Sequence, residues 1–138
     1  MSDTIELEIV TPDRKVLSVQ VSEIVLPGIE GYFGVLPGHA PLLTQLGVGE
    51  ITYRDASGTH YLAVAEGAVE VLPDRVTILA RLCESAREID VARAREAKQR
   101  AEEAMKQAAK LSDQDMVLIE TSLKKALTRL HVAGRVRA

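Results

Sequence analysis

Between Glu84 and Ala133 the chain contains neither glycine nor proline, whereas all five prolines and eight of the nine glycines precede that stretch. Glycine and proline punctuate strands and turns but are disfavoured inside helices. The asymmetry therefore splits the chain into two halves built on different periods, and no single repeating element can run through both.

The first half alternates. In IELEIV, Ile5, Leu7 and Ile9 share one face and Glu6 and Glu8 the other, which is the period of a half-buried strand. TPDR then turns the chain. Val19, Val21 and Ile24 to Leu26 follow before PGIEG. EITYRD and THYLAVAE flank ASG as one hairpin, and AVEVL and VTILA flank PDR as another. Many short strands separated by Gly and Pro argue for an antiparallel β-sandwich or flattened barrel.

The second half repeats at helical spacing. Ala94, Ala97, Ala101, Ala104, Ala108 and Leu111 form one narrow apolar stripe, and Met116, Ile119, Leu123, Ala126 and Leu130 form a second. SDQD separates them, with Ser112 as the expected N-cap of the second helix. So short a break forces two antiparallel helices. The expected fold is α+β, with a sandwich over residues 1–86 and a C-terminal antiparallel helical hairpin over 87–138. A buried methyl contributes about 0.8 kcal/mol and a buried leucine about 1.5 to 3. An alanine seam therefore holds a hairpin weakly, and the expectation is a tail with at least two arrangements.

Charge follows the same division. Four cations against eleven acids leave residues 1–80 at −7, and thirteen cations against nine acids leave residues 81–138 at +4. No apolar run approaches the roughly 20 residues of a membrane-spanning helix. MSDTIELE lacks the basic and apolar regions of a signal peptide. The expectation is a soluble intracellular protein that can still sit on a membrane complex. Cys83 is the only cysteine, which excludes an intramolecular disulfide and a thiolate metal cluster and points to a buried structural thiol.

Catalytic chemistry is thin. His39, His60 and His131 lie in three different segments without metal-ligand spacing, and the serines stand without an evident base. No residue is assigned a catalytic or metal role. An aromatic content of 3% and an acidic first half also leave no stacking platform for nucleic acid. Lys124, Lys125, Arg129, Arg135 and Arg137 follow the last acid, Glu120, and can face an anionic surface or simply solvent.

GYFGVLPGHAPLL, Gly31 to Leu43, has the glycines, prolines and lone histidine of an active-site loop. Together with GAVEVLPDRVTILA and IDVARAREAKQRAEEA, however, it resembles the epsilon subunits of the bacterial F-type ATP synthase, called delta in mitochondria. The likeness runs from LEIVTPDR to RLHV. It implies a sandwich followed by a helical hairpin, in agreement with the two periods. It also implies a non-catalytic subunit that turns with the gamma subunit, couples a proton-driven rotor ring of c subunits to the catalytic head, and blocks ATP hydrolysis when the hairpin extends.

By the same resemblance, the ring contact falls at Ile29, Glu30 and Gly31, and the gamma contact at His39, Ala40, Pro41, Leu42, Leu43 and Thr44. The alpha and beta subunits meet the C-terminal helices. The protein is expected on the cytoplasmic face of the bacterial cell membrane, peripheral and without insertion into it. No cofactor is required. IDVARA matches the family's nucleotide pattern, which implies ATP as a regulatory ligand of the compact hairpin. Its contacts would be Glu84, Ile89, Asp90, Arg93, Ala94, Arg100, Lys125 and Arg129, although Leu118 stands where nucleotide-binding members have arginine. A free-standing ATP-sensing module is the second reading. An enzyme, the third, would need a pocket of titrating groups that the sequence does not supply.

Overall fold

Alternation along the strands is what closes the first half of the molecule. A computed structural model describes residues 3–107 and 110–137, the last without its side chain. It contains β1 (Ile5–Val10), β2 (Lys15–Val21), β3 (Glu23–Gly28), β4 (Gly31–Val35), β5 (Leu42–Asp55), β6 (Gly58–Val71) and β7 (Arg75–Ser85), then α1 (Val91–Met105) and α2 (Asp113–Arg137). Contacts divide the chain into two units, Met1–Glu84 and Ser85–Ala138.

The strands form one sheet in the order β2-β1-β7-β6-β5-β3-β4. Ile5, Leu7 and Ile9 are fully buried, while Glu6 and Glu8 face outward and pair with Arg75 and Lys15 at 3.5 and 3.7 Å. Buried side chains from all seven strands meet in one apolar cluster. β2 approaches β5 although three strands separate them in the sheet order. A flat sheet cannot bring these together, so the sheet curls over its own inner face as a sandwich. The fold class is the expected one, with one parallel pair in an otherwise antiparallel arrangement, β1 with β7. β1 and β7, the first and last strands along the chain, can pair in parallel because the intervening strands supply the long connection that a tight turn does not.

Two strands are longer than their sequence patterns suggest. EITYRD is only the second half of β5, and THYLAVAE and AVEVL are one strand, β6. The alternation lapses because four consecutive residues, Leu62 to Ala65, are buried and the strand then kinks. Glu66 and Gly67 adopt φ of 57° and 149°. The ladder passes from Val48–Ala65 to Leu46–Gly67 without a change of register. A β-carbon on Gly67 would collide with the carbonyl oxygen of Leu79 and come within 2.9 Å of Ala80 Cα. The kink is what lets β7 lie so close.

In the second unit the caps act as the sequence suggests. Ser112 Oγ accepts from the Asp115 N–H at 3.1 Å, and Asp90 Oδ1 accepts from the Arg93 N–H at 3.1 Å. Ala94, Ala101 and Ala126 of the two stripes are buried, whereas Ala97, Ala104, Leu111, Met116, Ile119, Leu123 and Leu130 are half-buried. Ala108 lies outside the described residues. The seam follows the expected stripes and is shallow.

Replacing Gly67 by alanine should lower stability by about 2 to 4 kcal/mol, through collision and a strained φ together. Gly58→Ala, at φ 127° but with open space around it, should cost only about 1 kcal/mol. Urea unfolding of both variants measures the difference.

Candidate functional site

GYFGVLPGHAPLL folds as a strand and a tight turn. Gly31–Val35 is β4. His39 N–H donates to the Leu36 carbonyl at 3.1 Å, with Pro37 and Gly38 at the two central positions and Gly38 at φ 85°. This is a type II turn, which needs Pro-compatible φ at the first position and glycine at the second. Gly38 N–H then donates to the Pro73 carbonyl at 2.8 Å, tying the turn to the β6–β7 hairpin. The His39 ring folds onto the next residue's backbone, with Nδ1 2.6 Å from the Ala40 carbonyl oxygen.

What this segment presents outward is apolar. Ile29, Tyr32, Leu36 and Leu43 are each exposed over more than half of their surface, and Leu42 and Leu72 over more than a third. Backbone bonds relate several of them to the start of β5. Ile29 N–H donates to Gln45, Leu42 pairs with Val71, and the Leu36–His39 turn is fastened beside Leu72 at Pro73. Ala40 and Pro41 are exposed, Thr44 and His39 half-buried, and Glu30 and Gly31 exposed at the β3–β4 tip. Scattered exposed leucines are ordinary, but several along one strand end mark a surface suited to a partner. Tyr32, Leu36 and Leu72 are exposed in the same way and escape the sequence reading. Their signal was a large apolar residue at an outward position of a strand or turn, legible only once the register is known.

The nucleotide candidates are arranged less favourably. Glu84 stands at the end of β7, in the sheet unit. Asp90 is the N-cap of α1, and one of its carboxylate oxygens is engaged by the helix. Ile89 and Ala94 are buried. Arg93 and Arg100 are exposed on α1, and Lys125 and Arg129 are half-buried on α2, one turn apart. Arg100 lines a groove of about 340 Å³ between the helices, with Ala97, Ala101, Ala104, Leu118, Ile119 and Ser122. On its other side it borders a shallow site of about 440 Å³ with Glu96, Gln99 and Glu103, two acids that oppose a phosphate.

One cluster gives His60 the partners that its sequence surroundings did not reveal. At the β5–β6 turn, Asp55 Oδ1 accepts from Ser57 N–H at 2.8 Å and from Ser57 Oγ at 2.6 Å. His60 Nε2 lies 3.0 Å from the same oxygen and 2.9 Å from Ser57 Oγ. The His60 ring stacks on Tyr53 at 4.9 Å. Serine, histidine and aspartate all converge on one carboxylate oxygen, so no hydroxyl is poised for attack; the cluster is a turn lock. Ser57 Oγ, helped by His60 and the Ser57 N–H against the opposing effect of burial, holds the Asp55 carboxyl down to about 2. Burial, with the Asp55 charge beside it, pushes the Tyr53 phenol up. Cys83 is buried. Among the described residues, no group of three or more His, Cys, Asp or Glu is placed to hold a metal ion. Among them, too, no helix is long and apolar enough to cross a membrane.

Residues 4–86 match the ATP synthase delta/epsilon chain β-sandwich domain, and residues 87–134 match the long α-helix domain of the same chains. The chain is 48% identical to the ATP synthase epsilon chain of Syntrophobacter fumaroxidans, covering 98% of this chain and 99% of that one. It is 47% identical to ATP synthase epsilon chain 2 of Syntrophotalea carbinolica, covering 98% and 97%. Over 103 residues it is 57% identical to the epsilon chain of Koribacter versatilis, covering 75% of this chain and 72% of that one. In fold it is similar to a chain of the Euglena gracilis mitochondrial ATP synthase structure, with a TM-score of 0.80 at 22% identity over 96% of this chain and 82% of that one.

The Asp55 lock has a defined pH signature. Its folded pKa lies below the unfolded value of about 3.9, so its contribution is present at neutral pH and is lost as pH falls from about 4 through about 2. Asp55→Asn, which keeps an oxygen for the turn, should flatten that part of the acid limb in urea midpoints collected from pH 6 to 2.

Proposed function

The chain belongs to the delta/epsilon family of ATP synthase subunits, which are non-catalytic, and from that premise we propose that it works as a rotor subunit of the central stalk. In this reading it turns with the gamma subunit on the cytoplasmic face of the cell membrane and couples proton-driven rotation of the c ring to ATP synthesis. The observation that carries the reading is the end-to-end match, at nearly half identity, to epsilon chains that share both halves.

The first unit is the docking module. Its apolar outward residues along the start of β5, on an otherwise acidic half, supply area that a partner can bury. Ile29, Glu30 and Gly31 at the β3–β4 tip meet the ring, and His39 to Thr44 meet gamma. The type II turn at Leu36–His39 presents that second stretch in a fixed shape, which reduces the entropy lost on docking.

The hairpin is the regulatory element. Its seam is made largely of alanine methyls and half-buried side chains, so separating the helices from each other forfeits little apolar burial. Extended, the C-terminal helices reach the alpha and beta subunits, where the basic α2 meets acidic segments of the catalytic beta subunits and blocks ATP hydrolysis. ATP is a weak regulatory ligand of the compact form, with Arg93, Arg100, Lys125 and Arg129 facing its phosphates. Leu118 in the Arg100 groove and the acids beside Arg100 keep that affinity low.

Adding the subunit back to an ATP synthase depleted of it tests both modules. The full chain should bind and suppress ATP hydrolysis, while residues 1–86 should bind without suppressing it. Binding of both without inhibition by either would remove the regulatory role, and binding of neither would remove the rotor role. Calorimetry with millimolar ATP and magnesium should give a weak heat that Arg100→Ala reduces; no heat from the native chain would remove nucleotide sensing.

A further inference from the structure

The ladder between β3 and β5 is interrupted where the tip begins. Val25 pairs with Thr52 and the next pair is Gly28 with Leu46, so five residues of β5, Gly47 to Ile51, run beside only two of β3, Leu26 and Pro27. Pro27 has no N–H to contribute to a ladder. Tyr32 of β4, the residue paired with Pro27, reaches across β3 into this gap. Its hydroxyl accepts from the Glu50 N–H of β5 at 2.9 Å. Gly49 makes room for it, since a β-carbon there would collide with the phenol oxygen and stand 2.8 Å from Pro27 Cβ. Tyr32 as a residue nevertheless remains 60% exposed. A large aromatic so exposed is held by its hydroxyl more than by burial.

We propose that Tyr32 is the positioning residue of the docking tip. Its side chain is a strut across three strands that replaces the missing β3–β5 pairing and fixes the angle at which Ile29 and Glu30 project. The second tether of the tip is the Ile29 N–H bond to the Gln45 carbonyl at 3.0 Å, on the far side of the same interruption. Without the strut, beyond Val25 the tip is joined to β5 only by that bond and the neighbouring Gly28–Leu46 pair. An exposed tip with few buried contacts is then free to swing, and a partner that needs it in one orientation pays the cost of ordering it. The assignment rests on the reading above that the tip docks on the rotor.

Tyr32→Phe removes the hydroxyl and little else. In the full chain, residue-resolved amide exchange at Glu50 and Ile29 should rise about five- to tenfold, the scale of one lost hydrogen bond, while exchange in the core of β6 and the unfolding midpoint change little. Affinity for an ATP synthase complex depleted of this subunit should fall by a similar factor. Ile29→Asp, assayed in parallel, should weaken binding without accelerating Glu50 exchange. Unchanged Glu50 exchange in Tyr32→Phe overturns the strut. Faster exchange with undiminished affinity, where Ile29→Asp does weaken binding, overturns its role in docking. Undiminished binding by Ile29→Asp overturns the docking reading of the tip itself, and the exchange data still report separately on the strut.

Discussion

One apolar cluster, to which every strand contributes from its inward face, is the constraint on which the first unit depends. Because Ile5, Leu7, Ile9, Ile51, Val76 and Ile78 must all point to the same interior, the register of each strand is fixed, and a slip of one residue would turn its set to solvent. The outward positions are then free of packing duty. They carry acids, ion pairs such as Glu6–Arg75, and the large apolar residues that suit an interface. Backbone strain falls at Glu66, a non-glycine at φ 57°, beside Gly67, where close approach of β7 leaves no space for a side chain.

The hairpin obeys a different balance. Its caps are sound, with Asp90 and Ser112 each satisfying a first-turn N–H, so each helix starts well. Its seam is another matter, since alanines bury little area and most of the larger residues of the second stripe are only half-buried. Local propensity is high and tertiary stabilisation low. An element of that kind can exchange one set of neighbours for another without unfolding. The seven-stranded unit has no such freedom.

Much of this was legible in the residues. The boundary between the halves, the inward set of β1, the alanine stripe and the cap at Ser112 all follow from period and turn chemistry. The length of β6 did not, because the buried run Leu62–Ala65 and the kink at Glu66 mimic a strand end. The parallel β1–β7 pair depends on how the sheet curls, which no local pattern encodes. At the candidate surfaces, GYFGVLPGHAPLL is conspicuous as a string, yet its chemistry is conformational: Pro37 and Gly38 make a turn and the His39 ring bonds to the Ala40 carbonyl. Tyr32, Leu36 and Leu72 became visible only through exposure, and the Asp55–Ser57–His60 cluster only through the geometry of a two-residue turn. For the nucleotide residues, burial of Ile89 and Ala94 and the capping role of Asp90 supply structural reasons for a motif that also suits a ligand.

A shallow alanine seam beside a well-packed sheet implies a sandwich that persists while the hairpin opens far more easily. Native-state hydrogen exchange of the full chain across low urea concentrations tests it most directly. Amides of α1 and α2 should exchange through openings of low free energy and shallow urea dependence, while those of β1, β6 and β7 exchange only by global unfolding with its steep slope. Equal protection and equal slopes in the two units would contradict it, because the hairpin would then be as firmly held as the sheet.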